Sequence, residues 1–98
     1  MNWEEKNAAP WTFLTNHSHV LILLAQYPEK RIRDIAAEVE ITERAVQRII
    51  AELVDAGYVT IDKIGRRNRY DVDQSKRLRH PVESHCTIGD LMRMIQKA

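Results

Sequence analysis

The stretch Arg31–Gly57, RIRDIAAEVEITERAVQRIIAELVDAG, leaves few folds open to the chain that carries it. It predicts two short helices joined by a tight turn. The first runs over Asp34–Val39. Asp34 is placed to cap it, and Ile35, Ala36 and Val39 share one face at three- and four-residue spacing. Ala36 is small where two helices must cross closely. Glu40 and Ile41 make the turn, with Ile41 expected in the buried corner. Thr42 then offers its hydroxyl to an otherwise unpaired backbone N–H and caps the second helix. Val46, Ile49, Ile50 and Leu53 form that helix's inward stripe, and Gly57 ends it in a left-handed position.

The opposite face carries the chemistry. Thr42, Glu43, Arg44, Gln47 and Arg48 lie on the first turns of the second helix, away from its apolar stripe. An α-helix fits the major groove of B-DNA, and a recognition helix reads bases mainly from its N-terminal residues. Arginine pairs with guanine through two hydrogen bonds, and glutamine does the same with adenine. The competing reading is a solvated helix face that happens to carry arginine. The segment after Gly57 favours the first.

Tyr58–Val72 reads as a hairpin. Val59 and Ile61 alternate with Thr60 and Asp62, and Tyr70 and Val72 repeat the alternation on the return strand, so each strand is expected to bury one face. Gly65-Arg66-Arg67-Asn68 supplies the turn residues. Arg66, Arg67 and Arg69 therefore gather at the tip. Charged tips keep many hairpins soluble, but three arginines next to a helix with outward arginines exceed that need. A narrow minor groove attracts inserted arginine, and phosphate is an equally suitable target.

Upstream, Asn16–Gln26 is a helix capped by Asn16 or Thr15, with Val20, Leu21, Leu23 and Leu24 apolar nearly all round. Such a helix is buried on more than one side and forms the beam beneath the two-helix unit. Pro28 disfavours helical geometry at Tyr27 and ends it. Arg31-Ile32-Arg33 is expected as a short extended piece with Ile32 inward. Ahead of the beam, residues 1–15 form an arm, polar over its first ten residues. Its apolar cluster of Trp11, Phe13 and Leu14 is either a flap over the core or a contact with a second copy.

Beam, two-helix unit, the GYV entry and an arginine-tipped hairpin resemble the winged helix-turn-helix of MarR-like and ArsR-like transcriptional regulators. The likeness covers about Asn16–Val72 and is strongest in ITERAVQRIIAELVDAGYV and GRRNRY. It implies a mainly α fold with a small β-hairpin: a three-helix core plus wing over residues 16–73, followed by a C-terminal helix. It also implies a homodimer on a pseudo-palindromic double-stranded DNA operator. By the same resemblance Thr42, Arg44, Gln47 and Arg48 match recognition-helix contacts, and Arg66, Arg67 and Arg69 match wing contacts. Two positions depart from the pattern. Glu40 stands where the turn often has glycine. Glu43 is acidic at the groove, where it either accepts a hydrogen bond from cytosine N4 or lowers affinity. The chain is also shorter than typical MarR proteins, so their ligand-binding helices are largely missing.

Residues 74–86 form a basic linker with Lys76, Arg77 and Arg79, and Pro81 fixes a bend in it. A last helix over 87–98 starts at Thr87, with Asp90 able to reach back to the cap. Ile88, Leu91, Met92 and Ile95 make its apolar stripe, which packs either on the chain's own first helix or on the same helix of a second copy. Pairing is the favoured expectation, because base-reading units gain affinity from two half-sites about one helical turn apart. Trp11 and Phe13 join this expected dimer interface.

Composition narrows the alternatives. The 98 residues, 44% of them apolar, suit one domain with one modest core. The net charge of +1 conceals an asymmetry: residues 1–62 carry six Lys/Arg against ten Asp/Glu, while residues 63–98 carry nine against four. The basic half suggests a polyanion-facing edge. A single cysteine, Cys86, rules out an intrachain disulfide and fits a cytoplasmic protein. No signal peptide and no apolar run near the roughly twenty residues of a membrane span appear. His80, His85 and Cys86 are zinc-ligand types, but their spacing matches no finger or ribbon, and His17 and His19 are distant in sequence. No metal or cofactor is therefore expected, with ArsR-like metal sensing as an alternative. No phosphate loop, HExxH, GxSxG or catalytic carboxylate pair points to an enzyme. A winged helix that binds protein or RNA is the remaining alternative.

Overall fold

Three helices, a hairpin and a final helix come in order along the chain: α1 (Asn16–Gln26), α2 (Ile32–Val39), α3 (Glu43–Asp55), β1 (Val59–Ile64), β2 (Arg67–Val72) and α4 (Ile88–Ile95). The computed structural model describes residues 10–96, so the first nine residues of the expected arm and the last two of the expected C-terminal helix lie outside it.

Thr15 caps α1, its hydroxyl accepting the Ser18 N–H at 3.2 Å. Val20, Leu21, Ile22 and Leu24 are buried, and Leu23 and Ala25 pack partly against the same core. The helix is thus enclosed on several sides, as its all-round apolar sequence requires. Ile35 and Ala36 of α2 and Val46, Ile49, Ile50 and Leu53 of α3 complete the centre. Each large aliphatic side chain buried here contributes about 1.5–3 kcal/mol.

The start of α2 differs from expectation. The helix begins at Ile32, with Arg31 as an extended N-cap that offers no side-chain bond. The Arg31 carbonyl accepts the Asp34 and Ile35 N–H groups at 3.0 Å each, which closes the first turn three residues before Asp34 could cap one. Asp34 sits inside that turn, where its charge complements the positive helix end. The turn into α3 does need a left-handed residue. Glu40 has φ of 64°, and the Ile41 N–H behind it reaches the Ala36 carbonyl at 3.1 Å. A side chain in that conformation costs about 1–2 kcal/mol. Ile41 is only half-buried in the corner.

Thr42 caps α3 by accepting the Ala45 N–H at 3.0 Å. At the other end Gly57, at φ of 85°, closes a Schellman motif: its N–H bonds the Val54 carbonyl, and the Tyr58 N–H bonds that of Leu53. This turn feeds the chain directly into β1. The hairpin pairs Val59 with Val72, Ile61 with Tyr70 and Ile64 with Arg67 in antiparallel register. That leaves Gly65 and Arg66 as a two-residue turn, shorter than the four-residue signal in the sequence. Gly65 takes φ of 63° and Arg66 does not share the positive φ, as a type II′ turn requires. Val59 and Tyr70 are buried and Val72 half-buried, but Ile61 is 42% exposed. In β1 only Val59 is buried; the return strand lies against α1 instead, so Tyr70 is covered while its pair partner Ile61 is not.

Residues 74–87 are not an open tether. The Leu78 N–H bonds the Cys86 carbonyl, the Ile88 N–H that of Lys76, and the Gly89 N–H that of Gln74, at 2.8–2.9 Å. These bonds close the segment at its base into a loop. Helix α4 then starts with a complete capping box between Thr87 and Asp90. Ile88 and Met92 enter the common core and Leu91 is also buried, all within one chain. Self-association expected through that stripe is thereby left with Ile95 and the neighbouring Met94.

Candidate nucleic-acid interface

On α3 the inward stripe is fully covered, and Thr42, Glu43, Arg44, Gln47 and Arg48 are all exposed. Their states differ. The Thr42 oxygen is engaged as the helix cap. Glu43 lies in the first turn, where its charge favours the positive helix end. Among the described residues no carboxylate pairs with Arg44. Arg48 stands 3.8 Å from Glu52 one turn along. Glu52 is held more closely by His17 of α1, at 2.7 Å. Its carboxyl lies below the ordinary range mainly because of that His17 bond, with the Arg48 charge a lesser cause. Water and salt screen a solvent-exposed pair of this length, so it holds the arginine only loosely. Arg48 is therefore free to exchange Glu52 for another acceptor.

The wing is built differently. Arg66 occupies the turn, Arg67 opens β2, and Arg69 faces Asp62 across the strands. No carboxylate pairs with any of the three among the described residues. One of them has a neutral partner: Arg67 donates from Nη2 to the Glu29 carbonyl at 3.2 Å. The Tyr70 N–H also bonds the Pro28 carbonyl at 2.8 Å. Two hydrogen bonds thus hold β2 against the turn between α1 and α2.

That junction brings in two cations that pattern reading passed over. Glu29, Lys30, Arg31, Arg66, Arg67 and Tyr70 line one groove of about 370 Å3. Lys30 is partly engaged: its Nζ lies 2.8 Å from Glu38 and 4.6 Å from the Tyr27 ring centre, and the Glu38 bond raises its pKa. Arg31 is exposed beside the wing. In the sequence these residues look like part of the polar entry to α2. Only the long-range bonds from β2 place arginines of the tip beside them.

The linker cations are less available than their number suggests. Lys76 is half-buried with its Nζ 5.2 Å from the Tyr58 ring centre. Arg77 donates to the Ser84 carbonyl at 3.2 Å, while its own carbonyl accepts the Tyr58 hydroxyl at 2.5 Å. Arg79 remains exposed. Among the three suggested metal ligands, the His80 Nδ1 accepts the Val82 N–H at 3.1 Å, His85 is exposed and Cys86 half-buried. No cluster of three or more His, Cys, Asp or Glu able to hold a metal occurs among the described residues. No helix among them is long and apolar enough to cross a membrane.

A three-helix core, a hairpin wing and an arginine-bearing second helix define the class: winged helix-turn-helix transcriptional regulators that bind DNA. Within it, the chain belongs to the TrmB family, matching over residues 13–74 the family described as sugar-specific transcriptional regulator TrmB. That class is one of regulators, not of enzymes. No curated protein matches the chain.

Proposed function

We propose that the chain reads a specific double-stranded DNA sequence with α3 in the major groove and the wing on the adjacent minor groove or backbone. It does so as a homodimer on a pseudo-palindromic operator. Arg44, Gln47 and Arg48 are the base readers, with Glu43 and Thr42 at the helix start. Arg66, Arg67 and Arg69 are the wing contacts. The observation that carries this reading is the state of Arg44 and Gln47: both stand exposed on the first turns of a helix whose apolar face is wholly covered, and no carboxylate among the described residues neutralises Arg44. Trp11, Phe13 and Ile95 are the exposed apolar residues of the expected dimer contact. The likeness to MarR-like and ArsR-like regulators is one of shared architecture. The family's description as sugar-specific makes a sugar the effector class to test first.

The test is binding to duplexes selected from a random pool, repeated across a salt series. Binding through several phosphates weakens steeply and linearly in log–log form as salt rises. A selected inverted repeat with half-sites about one helical turn apart is the expected product. Preference for single-stranded RNA over every duplex, or salt-independent binding, would overturn the reading.

A further inference from the structure

The strongest unexplained feature is aromatic. Trp11 is 64% exposed and Phe13 92%, and their rings meet edge to face with centroids 5.0 Å apart. They neither cover the core nor fold onto it; Leu14 alone packs against it from this segment. Beside them lies an open groove of about 610 Å3, floored by Ile22, Leu23 and Val39 and rimmed by His19, Glu38 and Glu40. Thr12, Phe13 and Leu14 form one wall of that groove. An apolar knob and an apolar hollow therefore sit next to each other on one face.

We propose that the Pro10–Phe13 arm of one copy docks into this groove on a second copy, and the reverse. The inference rests on the homodimer reading and deepens it by naming the surface that receives the arm. Three observations select a second copy as the occupant. First, a twofold contact uses the same patch twice and so needs knob and hollow together on each partner, as found here. Second, Pro10-Trp11-Thr12-Phe13 carries no charge, so it meets the Glu38 and Glu40 rim of another copy without repulsion. Glu38 is in any case paired with Lys30. Third, the area suffices. Trp11 and Phe13 keep most of their roughly 150–250 Å2 each open, so the four rings of a pair have about 470–780 Å2 to bury and the facing groove walls a similar amount, which reaches the lower part of the roughly 1,200–2,000 Å2 of stable interfaces.

Sedimentation equilibrium of the full chain without DNA tests this apart from any base reading. Wild type is expected to dimerise at micromolar concentration. Trp11→Ala trims the arm and leaves the Phe13 wall of the groove in place; Leu23→Gln makes the groove floor polar. Each is expected to weaken dimerisation tenfold or more. An equimolar mixture of the two should recover dimer to an intermediate degree, because the intact arm of one then meets the intact groove of the other. Arm-to-arm stacking predicts no recovery. Leu23 touches the core, so a second readout guards against misfolding: in a Cys86→Ser background, Phe13→Cys mixed with His19→Cys should form a disulfide-linked pair that neither variant forms alone. A monomeric wild type at about a hundred micromolar, no recovery on mixing, or cross-linking of Phe13→Cys with itself only would each overturn the proposal. Loss of DNA binding with dimerisation intact would instead count against the base-reading assignment and leave this one standing.

Discussion

The turn-and-helix unit of α2 and α3 and the segment from Gln74 to Ile95 both carry arginines, yet they use them in opposite ways. On α3 the backbone is bonded to itself and capped by Thr42, so no arginine is required by the fold. Arg44 points to solvent, and Arg48 is loosely held. After the wing there is little regular structure before α4. There Arg77 bonds the Ser84 carbonyl and Lys76 covers the Tyr58 ring. Positive charge is available to a partner where the main chain has already satisfied its own hydrogen bonds. After the wing, Lys76 and Arg77 serve instead as struts, while Arg79 stays exposed. Charge density along a sequence does not distinguish these cases.

The sharpest way to break this contrast is to ask whether the second region is part of the body at all. Met92→Ala should cost about 2–5 kcal/mol of unfolding free energy, as deletion of a core side chain does. Chemical denaturation reads it; a cost under about 0.5 kcal/mol would show α4 to be an appendage, since surface changes fall in that range. Next in size, Arg44→Ala should weaken binding to a selected operator by about 1–3 kcal/mol and relax sequence preference. Arg77→Ala should leave DNA affinity within about twofold and act on thermal stability instead, by about 1 kcal/mol for a lost hydrogen bond. The reverse pattern would invert the comparison.

Asp90 offers a pH-dependent test of the same region. Its carboxyl is held below the ordinary 3.8, first by accepting the Thr87 backbone N–H. A depressed carboxyl stabilises the fold fully above its unfolded pKa, and that contribution disappears as pH falls through the folded value. Wild type should therefore lose more stability than Asp90→Asn on acidification from about pH 5 to pH 2. Parallel curves would mean that the Asp90 charge contributes nothing to the cap. The smallest expected effect lies in the other region. Glu40→Gly should raise stability by about 0.5–1 kcal/mol, because relief of the left-handed strain exceeds the added chain entropy of glycine. A drop would show that the Glu40 side chain does something its exposure does not reveal.

Much of the fold is legible in the sequence because short-range rules govern it. The stripe Val46, Ile49, Ile50 and Leu53, the Thr42 and Thr87 caps and the Gly57 stop depend on residues within a turn or two of each other. Departures arise where a local choice is settled at a distance or by a near neighbour. Asp34 has a capping side chain, but the Arg31 carbonyl closes the turn first. Ile61 has the period of a buried strand, but α1 packs against β2, so its pair partner Tyr70 is covered and Ile61 is not. Arg31 joins the wing only through bonds that span some forty residues, such as Arg67 to Glu29. No period or spacing encodes that meeting.

Cross-bracing of β2 to the α1–α2 turn, through Tyr70 to Pro28 and Arg67 to Glu29, has a mechanical outcome. A ribbon fastened at one end only would sample many bearings and surrender that freedom on every encounter. If the wing seats on DNA as proposed, it arrives with its bearing set, so little entropy is forfeited. In a twofold assembly the tolerance for wrongly spaced sites would then reside in the joint between protomers and not in the fingers.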